Sequence, residues 1–217
     1  MAQELFYTTV AGPGEAVYID RKSRFLGHAR PVTSEEEALS FLKTMRETYR
    51  DASHNCYAYR IRDHTLARYS DDGEPAGTAG LPMMEVLLGQ EVVDIIVVVT
   101  RYFGGTLLGT GGLVRAYTKA TQEALREAQL AVMTACDTFL CSMHYSRKER
   151  MEGLIERMGG GIDELSYGAD LTYTCYVPAD RSQEFVKELT EMTYGEAEPV
   201  LVEQSHRPLP KRGELPV

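Results

Sequence analysis

The strongest constraint on the fold of this chain is the order of a buried strand, a glycine-rich segment and a helix between residues 92 and 128. Val92 to Thr100 is a β-branched run of the kind that forms a central strand buried on both faces. Residues 100–117, TRYFGGTLLGTGGLVRAY, then place five glycines between two arginines. Apolar residues at helical spacing follow as far as Ala128. The pattern therefore predicts a central strand that ends at a glycine-rich corner, from which a long helix begins.

The rest of the first part of the chain predicts further strands and helices. Residues 5–33 have the composition of extended segments. Ser34 and Glu37 form a capping box, and the apolar residues that follow fall on one helix face, so this helix is expected to cover a sheet. The remaining predicted elements are strands at 55–61 and 66–69, joined by a turn at Asp63 and His64, and a short helix at 83–88.

The second part follows the order β-α-β-β-α-β, the ferredoxin-like pattern of an antiparallel sheet with two helices on one face. Capping boxes at Ser146-x-x-Glu149 and Asp180-x-x-Gln183 predict the starts of its helices. Its predicted strands are residues 137–145, 162–167, 171–177 and 199–203. The sequence thus predicts an α+β protein with two domains, residues 1–132 and 133–204. Residues 205–217 are rich in proline and poor in apolar surface, so they are predicted to be a flexible tail.

Composition indicates a folded protein without a membrane segment. The chain has 217 residues, of which 43% are hydrophobic, and this is enough to bury a core. Its longest apolar run, Ile95 to Val99, is far shorter than the roughly 20 residues that span a bilayer, and residues 1–4 lack the basic start of a signal peptide. The cytoplasm is therefore the expected location. The four cysteines lack the spacing of a zinc site or a disulfide framework, so they are expected to be buried free thiols.

The charge distribution limits the classes of ligand. A net charge of −9 argues against a protein that coats nucleic acid non-specifically, because such binding depends on neutralising many phosphates. A local basic groove is still compatible with this charge. Residues 1–130 contain 14 Lys and Arg against 17 Asp and Glu, whereas residues 131–217 contain 9 against 15. An anion-binding surface is therefore expected in the first part of the chain.

The glycine-rich segment has two interpretations. Between a strand and a helix, backbone N–H groups and the helix dipole can hold an anion. The segment lacks both the P-loop sequence and the complete dinucleotide fingerprint, which argues against a standard NTP or NAD site. Its glycines alternatively allow a tight strand-to-helix corner, although Arg101 and Arg115 favour binding. The glycines concerned are Gly104, Gly105, Gly109, Gly111 and Gly112.

Three carboxylates in the loop of residues 70–80 form a second candidate cluster. Asp71, Asp72 and Glu74 are suited to hold Mg²⁺, but their spacing does not match the EF-hand calcium loop. They alternatively form a solvated turn with a helix N-cap function, or a structural latch if an arginine of the glycine-rich segment folds against them. His54 is predicted near these loops, and a lone histidine without a visible nucleophile favours a structural role.

Four segments of the first part carry a specific combination of motifs. They are residues 22–29 (KSRFLGHA), 51–60 (DASHNCYAYR), 70–80 (SDDGEPAGTAG) and 99–117 (VTRYFGGTLLGTGGLVRAY). Together they closely resemble the YigZ/Impact family, in a match that spans about residues 3–130. The resemblance implies a first domain with the fold of the second domain of ribosomal protein S5. The remaining domain looks like the one appended in bacterial YigZ proteins, which is similar to the last domain of elongation factor G.

The resemblance also implies a link to translation. Eukaryotic Impact proteins regulate initiation by restraining the kinase that responds to amino-acid starvation. Those relatives bind partners through an extra domain, in whose place this chain carries the elongation-factor-like domain. The resemblance therefore implies the setting of translation but not that particular pathway.

The first functional hypothesis is a non-catalytic regulator or accessory factor of translation, expected to be a monomer without a cofactor. It would bind RNA, the ribosome or a translation-associated protein in a cleft between residues 71–80 and 100–117. Charge and stacking surfaces for RNA would come from the arginines and aromatic residues of the glycine-rich segment. The candidate ligand-binding residues are His54, Asp71, Asp72, Glu74, Arg101, Tyr102, Phe103, Gly104, Gly105, Gly109, Gly111, Gly112 and Arg115.

The alternative hypothesis is an enzyme that acts on a phosphorylated small molecule. The S5-like fold resembles the core of a family of small-molecule kinases, in which a glycine-rich loop before a helix cradles phosphate. Asp71, Asp72 and Glu74 would then hold Mg²⁺ while loop N–H groups stabilise the transferring group. The Ser/Ala-rich loop sequence of those kinases is absent from this chain, and the sequence assigns no catalytic residue.

Overall fold

The structure of the protein is a computed structural model that describes residues 6–62 and 65–209. The predicted turn at Asp63 and His64 and residues 210–217 lie outside these ranges. The described residues contain five α-helices and ten strands, and the strands form two sheets. This is a mixed α and β composition, as predicted. They form two compact units, residues 7–132 and residues from 133 onward together with Phe6. None of the described helices is both long and apolar enough to cross a membrane.

The sheet of the first unit is antiparallel and has five strands. The strands are β2 (Gly14–Asp20), β3 (Ser23–Pro31), β4 (His54–Ile61), β5 (Leu66–Ser70) and β6 (Ile95–Tyr102). A short strand, β1 (Phe6–Val10), precedes them, and β7 (Leu130–Met143) is the next strand after β6 along the chain. The order is β2-β3-β6-β4-β5, so β6 is the central strand. Its β-branched residues are buried as predicted. The strand begins at Ile95 and not at Val92, because Asp94 has a φ of +55°, which interrupts the extended backbone between them.

Helices cover both faces of this sheet. The helices of the first unit are α1 (Glu35–Thr48), α2 (Gly80–Gly89) and α3 (Thr110–Ala128). Successive side chains of a strand point to opposite faces. Val97 of β6 therefore packs in the core formed with α2 and α3, whereas Ile96 and Val98 pack in the core formed with α1. The central strand is buried on both faces by this arrangement.

Two glycines allow α3 to lie close to the sheet. A Cβ atom at Gly27 would lie 2.7 Å from the Ala120 carbonyl oxygen, and one at Gly14 would lie 2.2 Å from the Ala128 backbone nitrogen. Both distances are too short for any side chain, so only glycine fits at these positions. The position of α3 against β2 and β3 is fixed by this close contact.

The cap predicted for α1 is present at Ser34, although Glu37 binds the amide of Thr33, the residue before the N-cap, and not that of Ser34. Ser34 Oγ accepts a hydrogen bond from the Glu37 amide at 3.2 Å, and Glu37 Oε2 accepts one from the Thr33 amide at 2.7 Å. The amide and the hydroxyl of Thr33, which both donate to its carboxylate, lower the pKa of Glu37. The hydrogen bonds to Ser34 and Glu37 satisfy two backbone donors at the start of the helix.

The second unit follows the predicted element order. β7 is followed by α4 (Lys148–Arg157), β8 (Gly161–Tyr167), β9 (Leu171–Pro178), α5 (Ser182–Thr193) and β10 (Val200–Pro208). The strands are antiparallel in the order β10-β7-β9-β8. Met151 and Leu154 of α4 and Phe185 of α5 are fully or almost fully buried in one core with β7 and β9.

The two capping boxes predicted for the second unit are wrong. Residues 145–147 and 179–181 form 3₁₀ turns, so α4 and α5 begin only at Lys148 and Ser182. Neither helix has a side-chain cap. The turn before α4 satisfies its own backbone, because the Arg147 amide donates to the His144 carbonyl oxygen at 3.1 Å.

The flexible tail predicted from residue 205 is wrong for residues 205–208. These residues form the last part of β10 and pair with β7, where Arg207 lies opposite Thr134. The Arg207 guanidinium also binds Asp163 at 2.7 Å and lies 4.3 Å from the centre of the Tyr176 ring. Proline is tolerated here because β10 is an edge strand. Pairing with a distant strand thus orders a segment whose composition alone predicted a tail.

We expect Ser34→Ala to lower the free energy of unfolding by about 1 kcal/mol, because it removes the N-cap acceptor of α1. Ser146→Ala is the matched control, since Ser146 caps no α-helix, and its effect should be much smaller. Urea unfolding followed by circular dichroism measures both variants. Equal losses would contradict the capping role of Ser34.

A buried histidine gives the first unit a pH-dependent stability. His28 of β3 is buried, and its ring packs against that of Tyr49 with the centroids 5.3 Å apart. Its Nε2 has no hydrogen-bond partner among the described residues. Burial lowers the pKa of His28, and the Glu15 carboxylate, 3.6 Å from Nδ1, offsets only part of this effect.

We expect the stability of the protein to fall as the pH decreases below about 6.5, where a histidine of the unfolded chain takes up a proton. The folded chain protonates His28 only at lower pH, so protonation favours unfolding over this interval. His28→Gln removes this contribution and should lose less stability than the wild type over the same interval. Urea unfolding of both proteins at a series of pH values measures the difference, and parallel curves would refute the assignment.

Candidate functional site

The antiparallel order of the sheet brings four loops to one end of the first unit. Strands β2, β5 and β6 end there, and β3 and β4 begin there. The loops are residues 21–22, 49–53, 71–79 and 103–109, and α3 begins directly after the last of them. We call this region, together with the first two residues of β3 and the first two turns of α3, the loop end. All four motif segments that carry the family resemblance contribute residues to it.

The buried carboxylate of Glu74 joins three parts of the loop end. Its Oε1 accepts hydrogen bonds from Arg101 Nη1 at 2.6 Å and from the Tyr117 hydroxyl at 2.8 Å. Glu74 is 8% exposed, Arg101 is 6% exposed and Tyr117 is fully buried. The segments 71–80 and 100–117 therefore meet directly at a point where a cleft was expected. This contact is the latch alternative, in which the arginine neutralises a carboxylate of its own chain.

The thiol of Cys56 extends this buried network. Its Sγ lies 3.4 Å from the Tyr117 hydroxyl oxygen and 3.0 Å from the Asp71 carbonyl oxygen. Burial raises the pKa of both the Cys56 thiol and the Tyr117 hydroxyl, so both groups stay protonated and act as hydrogen-bond donors. A buried, protonated thiol is a poor nucleophile, which makes Cys56 a structural residue of the network.

His54 lies at the edge of the same network and is partly exposed. Its Nδ1 is 2.8 Å from the Asp72 carbonyl oxygen, and its Nε2 is 3.9 Å from Glu74 Oε2. Gly73, with φ of +88°, passes directly beside the ring. The imidazole thus contacts both the Asp72 carbonyl oxygen and the Glu74 carboxylate. It stabilises the turn of residues 72–74, which carries this carboxylate.

The other two carboxylates of the loop bind different partners. Asp71 accepts three hydrogen bonds, at 2.8, 3.0 and 2.8 Å, from backbone amides of residues 77–80 at the start of α2. Asp72 accepts one from the Asn55 amide at 2.7 Å and forms an ion pair with Arg46 at 2.8 Å. Asp71 therefore fixes the start of α2, and Asp72 connects the loop to β4 and α1.

The three carboxylates do not converge on a common metal site. Asp71 is occupied by backbone amides, Asp72 by Arg46 and Glu74 by Arg101. In the part of the chain that the structure describes, no group of three or more His, Cys, Asp and Glu side chains is arranged to hold a metal ion. The geometry of these residues gives no support to the Mg²⁺ site of the enzyme hypothesis.

Three glycines of the 103–109 loop form a structural corner. A Cβ atom at Gly104 would lie 2.1 Å from the backbone of Lys22, so only glycine fits against the β2-β3 turn. Gly105 and Gly109 have φ of +83° and +74°, a conformation that glycine adopts without strain. The structural interpretation of the sequence therefore accounts for these three positions.

Gly111 and Gly112 lie in the first turn of α3 and differ from each other. A Cβ atom at Gly112 would lie 3.0 Å from Leu108 Cβ, so packing favours glycine there. A Cβ atom at Gly111 would meet no close neighbour, and the nearest group is Arg115 Nη1 at 3.7 Å. Packing gives no reason for glycine at position 111, where the backbone is exposed beside an exposed arginine.

The exposed charge of the loop end is predominantly positive. Its exposed basic residues are Arg21, Lys22, Arg24, Arg50 and Arg115. Within the described ranges, none of these five forms an ion pair with a carboxylate. The acidic residues Asp72 and Glu74, by contrast, are neutralised by Arg46 and Arg101. Asp51 of the 49–53 loop is also exposed and accepts a hydrogen bond from Tyr102, so the surface carries five basic side chains against this one exposed carboxylate.

The two aromatic residues after Arg101 have different environments. Tyr102 is half-buried, donates a hydrogen bond to Asp51 at 2.9 Å, and has the Arg24 guanidinium 5.9 Å from its ring centre. Phe103 is 49% exposed, and its ring centre lies 5.6 Å from the Arg101 guanidinium. Phe103 is therefore the ring that the loop end presents to solvent.

Several residues of this site were missed by the sequence analysis. The pattern of α3 predicted Tyr117 as a core residue, and no local signal shows that its hydroxyl reaches Glu74. Four basic residues, Arg21, Lys22, Arg24 and Arg50, also belong to the surface. A usable signal existed for them, because all four lie in or directly before residues 22–29 and 51–60, two of the motif segments that carry the family resemblance.

Comparison with known proteins connects both units to one family. A family model described as the Impact N-terminal domain matches residues 21–125, and one described as a domain of unknown function (DUF1949) matches residues 141–196. The chain is 36% identical to the IMPACT family member YvyE of Bacillus subtilis over 194 residues, 88% of this chain and 89% of that protein. It is 34% identical to the IMPACT family member YigZ of Escherichia coli, over 89% of this chain and 97% of that protein. The chain belongs to the IMPACT family.

Two further similarities agree with this assignment. A solved structure described as the crystal structure of an hypothetical protein is 33% identical, with a TM-score of 0.59 over 93% of this chain and 99% of that chain. Protein IMPACT-A of Xenopus tropicalis is 38% identical over 102 residues, which are 44% of this chain and 31% of that longer protein. The whole loop end lies within the region matched by the Impact N-terminal domain. The resemblance predicted from the sequence motifs is confirmed.

We expect Arg101→Met to lower the free energy of unfolding by roughly 3–5 kcal/mol, because the buried Glu74 carboxylate keeps the Tyr117 hydrogen bond but loses its arginine partner. Arg46→Met is the matched control. It also removes a guanidinium from an ion pair with the 70–80 loop, but that pair is partly exposed and should cost at most about 1 kcal/mol.

Urea unfolding measures both substitutions, and the double variant Glu74→Gln/Arg101→Met should recover part of the loss. An Arg101→Met effect no larger than that of Arg46→Met would contradict the latch. So would a double variant that is less stable than Arg101→Met alone.

Proposed function

We propose that this protein is a non-catalytic accessory factor of translation that binds the phosphate backbone of RNA at the loop end. The observation that carries the proposal is the set of five exposed basic side chains on this surface, none of them paired with a carboxylate in the described ranges. Clustered basic side chains are the electrostatic signature of a surface that binds phosphates.

The N-terminus of α3 contributes to the same surface. The first amides of a helix have no intrahelical acceptor, and the helix dipole favours a negative charge beside them. Residues 109–111 at this terminus are exposed. The Arg115 guanidinium lies beside Gly111, so the amides and the side chain are suited to share one phosphate group.

Membership of the IMPACT family supports translation as the setting of this binding. Eukaryotic members regulate initiation, and the two domain types implied by the resemblance occur in a ribosomal protein and an elongation factor. We assign the S5-like fold to the first unit and the ferredoxin-like fold to the second. The strand order β10-β7-β9-β8 supports the second assignment.

We expect the double variant Arg21→Glu/Arg115→Glu to lose most of the affinity of the protein for RNA. Fluorescence anisotropy with a labelled single-stranded RNA at several salt concentrations measures this loss. Each phosphate contact contributes about 0.7 to the slope of log affinity against log salt, so the slope should fall by roughly 1.4. Cosedimentation with ribosomes at low and high salt should show the same dependence.

Lys119→Glu/Arg126→Glu is the matched control for this experiment. It introduces the same change in net charge on exposed positions of α3 beyond the loop end. RNA affinity and salt slope should stay close to those of the wild type. Equal losses in the two double variants would show a non-specific charge effect, and unchanged binding by Arg21→Glu/Arg115→Glu would exclude the loop end as the RNA surface.

A further inference from the structure

We infer that the loop end takes single-stranded RNA, with Phe103 as the ring on which an unpaired base stacks. This inference rests on the proposed RNA binding and specifies the form of RNA that the same surface recognises. Its basis is that buried residues of the first unit hold one exposed aromatic ring, that of Phe103, in place.

Phe103 is the outermost member of a series of contacting aromatic and guanidinium groups that begins in the core. The Phe25 ring contacts Tyr117 edge-on, with 5.2 Å between the ring centres. The Arg101 guanidinium lies 5.4 Å from the centre of Phe25 and 5.6 Å from that of Phe103. Glu74 anchors the same guanidinium at 2.6 Å. A buried ion pair therefore holds in place a ring that is 49% exposed.

The backbone that carries Phe103 is fixed as well. The Phe103 amide donates to Ser53 Oγ at 3.3 Å, and the Gly104 amide donates to Ser23 Oγ at 3.1 Å. Farther along the loop, Arg21 donates to the Leu107 carbonyl oxygen at 3.4 Å. A ring held both by its backbone and by a cation loses little conformational freedom when a ligand stacks on it.

The surroundings of the ring match a nucleic acid better than an apolar protein surface. Leu107 is the other large exposed hydrophobic residue of this loop, so the apolar area is small. The exposed charged side chains of the loop end are mostly basic. Cations that bind the backbone, combined with an aromatic ring for a base, are typical of single-strand binding.

The preference for single-stranded over duplex RNA follows from the same exposed ring. In a duplex each base is already stacked between its neighbours and paired, so its face cannot reach a ring on a protein surface. An unpaired base has a free face that Phe103 can cover. The basic side chains alone would not distinguish the two forms, because both present phosphates.

Anisotropy titrations with three labelled probes test the inference. The probes are a single-stranded RNA, the same strand in a duplex, and the same strand with abasic sugars, which keeps the phosphates and lacks the bases. We expect the wild type to bind the intact single strand most tightly. Phe103→Leu should weaken that binding about tenfold and leave the salt slope and the affinity for the abasic strand unchanged. Phe103→Tyr should keep the wild-type preference.

Leu107→Ala is the matched control, because Leu107 is a still more exposed apolar side chain of the same loop, at 81%. It should leave the preference among the three probes unchanged. If Phe103→Leu binds all probes like the wild type while Arg21→Glu/Arg115→Glu still loses RNA, stacking is refuted and the proposed function stands. If the wild type binds none of the probes even at low salt, both are refuted and the surface belongs to another class of ligand.

Discussion

The buried ion pair between Glu74 and Arg101 is the interaction on which the loop end depends. Removing two charges from water costs several kcal/mol per ion, so the pair persists only where each charge has its partner and further contacts. Glu74 gains a second hydrogen bond from Tyr117, and Arg101 gains the faces of two aromatic rings. Because these residues lie on a loop, on the central strand and on α3, one compensated pair fixes all three elements relative to each other.

This internal pairing determines the chemistry of the surface. Asp71, Asp72 and Glu74 are the acidic residues of the 70–80 loop, and each is bound to backbone amides or to an arginine. The basic residues around them are left exposed. Arg101 lies one layer below this surface, where it supports Phe103 instead of meeting a ligand directly. The latch, which the sequence presented as an alternative to binding, therefore lies one layer below the surface that we propose as the binding site.

Features that depend on a few adjacent residues could be predicted from the sequence, and those that depend on distant partners could not. The cap at Ser34 and the buried run of β6 were predicted because neighbouring residues determine them. The same capping pattern failed at Ser146, where a 3₁₀ turn precedes the helix. Residues 205–208 looked like a tail because their order comes from β7, far away in the sequence. The contact between Arg101 and Glu74 likewise could not be predicted without the fold. Glu74 follows β5 and Arg101 lies on β6, and these strands are not neighbours in the sheet, because β4 lies between them.

The net charge of −9 and a basic loop end are compatible because electrostatic interactions in water act over short distances. At physiological salt, charges separated by more than about 8 Å are largely screened from each other. A phosphate group at the loop end therefore interacts mainly with the five exposed cations there, while most of the carboxylates that dominate the total are screened. At low salt the screening weakens. The negative net charge of the chain then opposes association with RNA, although each contact between a phosphate and a basic side chain becomes stronger. If the proposed function holds, the overall charge of the chain limits long-range attraction of RNA, whereas the local charge of the loop end selects the binding surface.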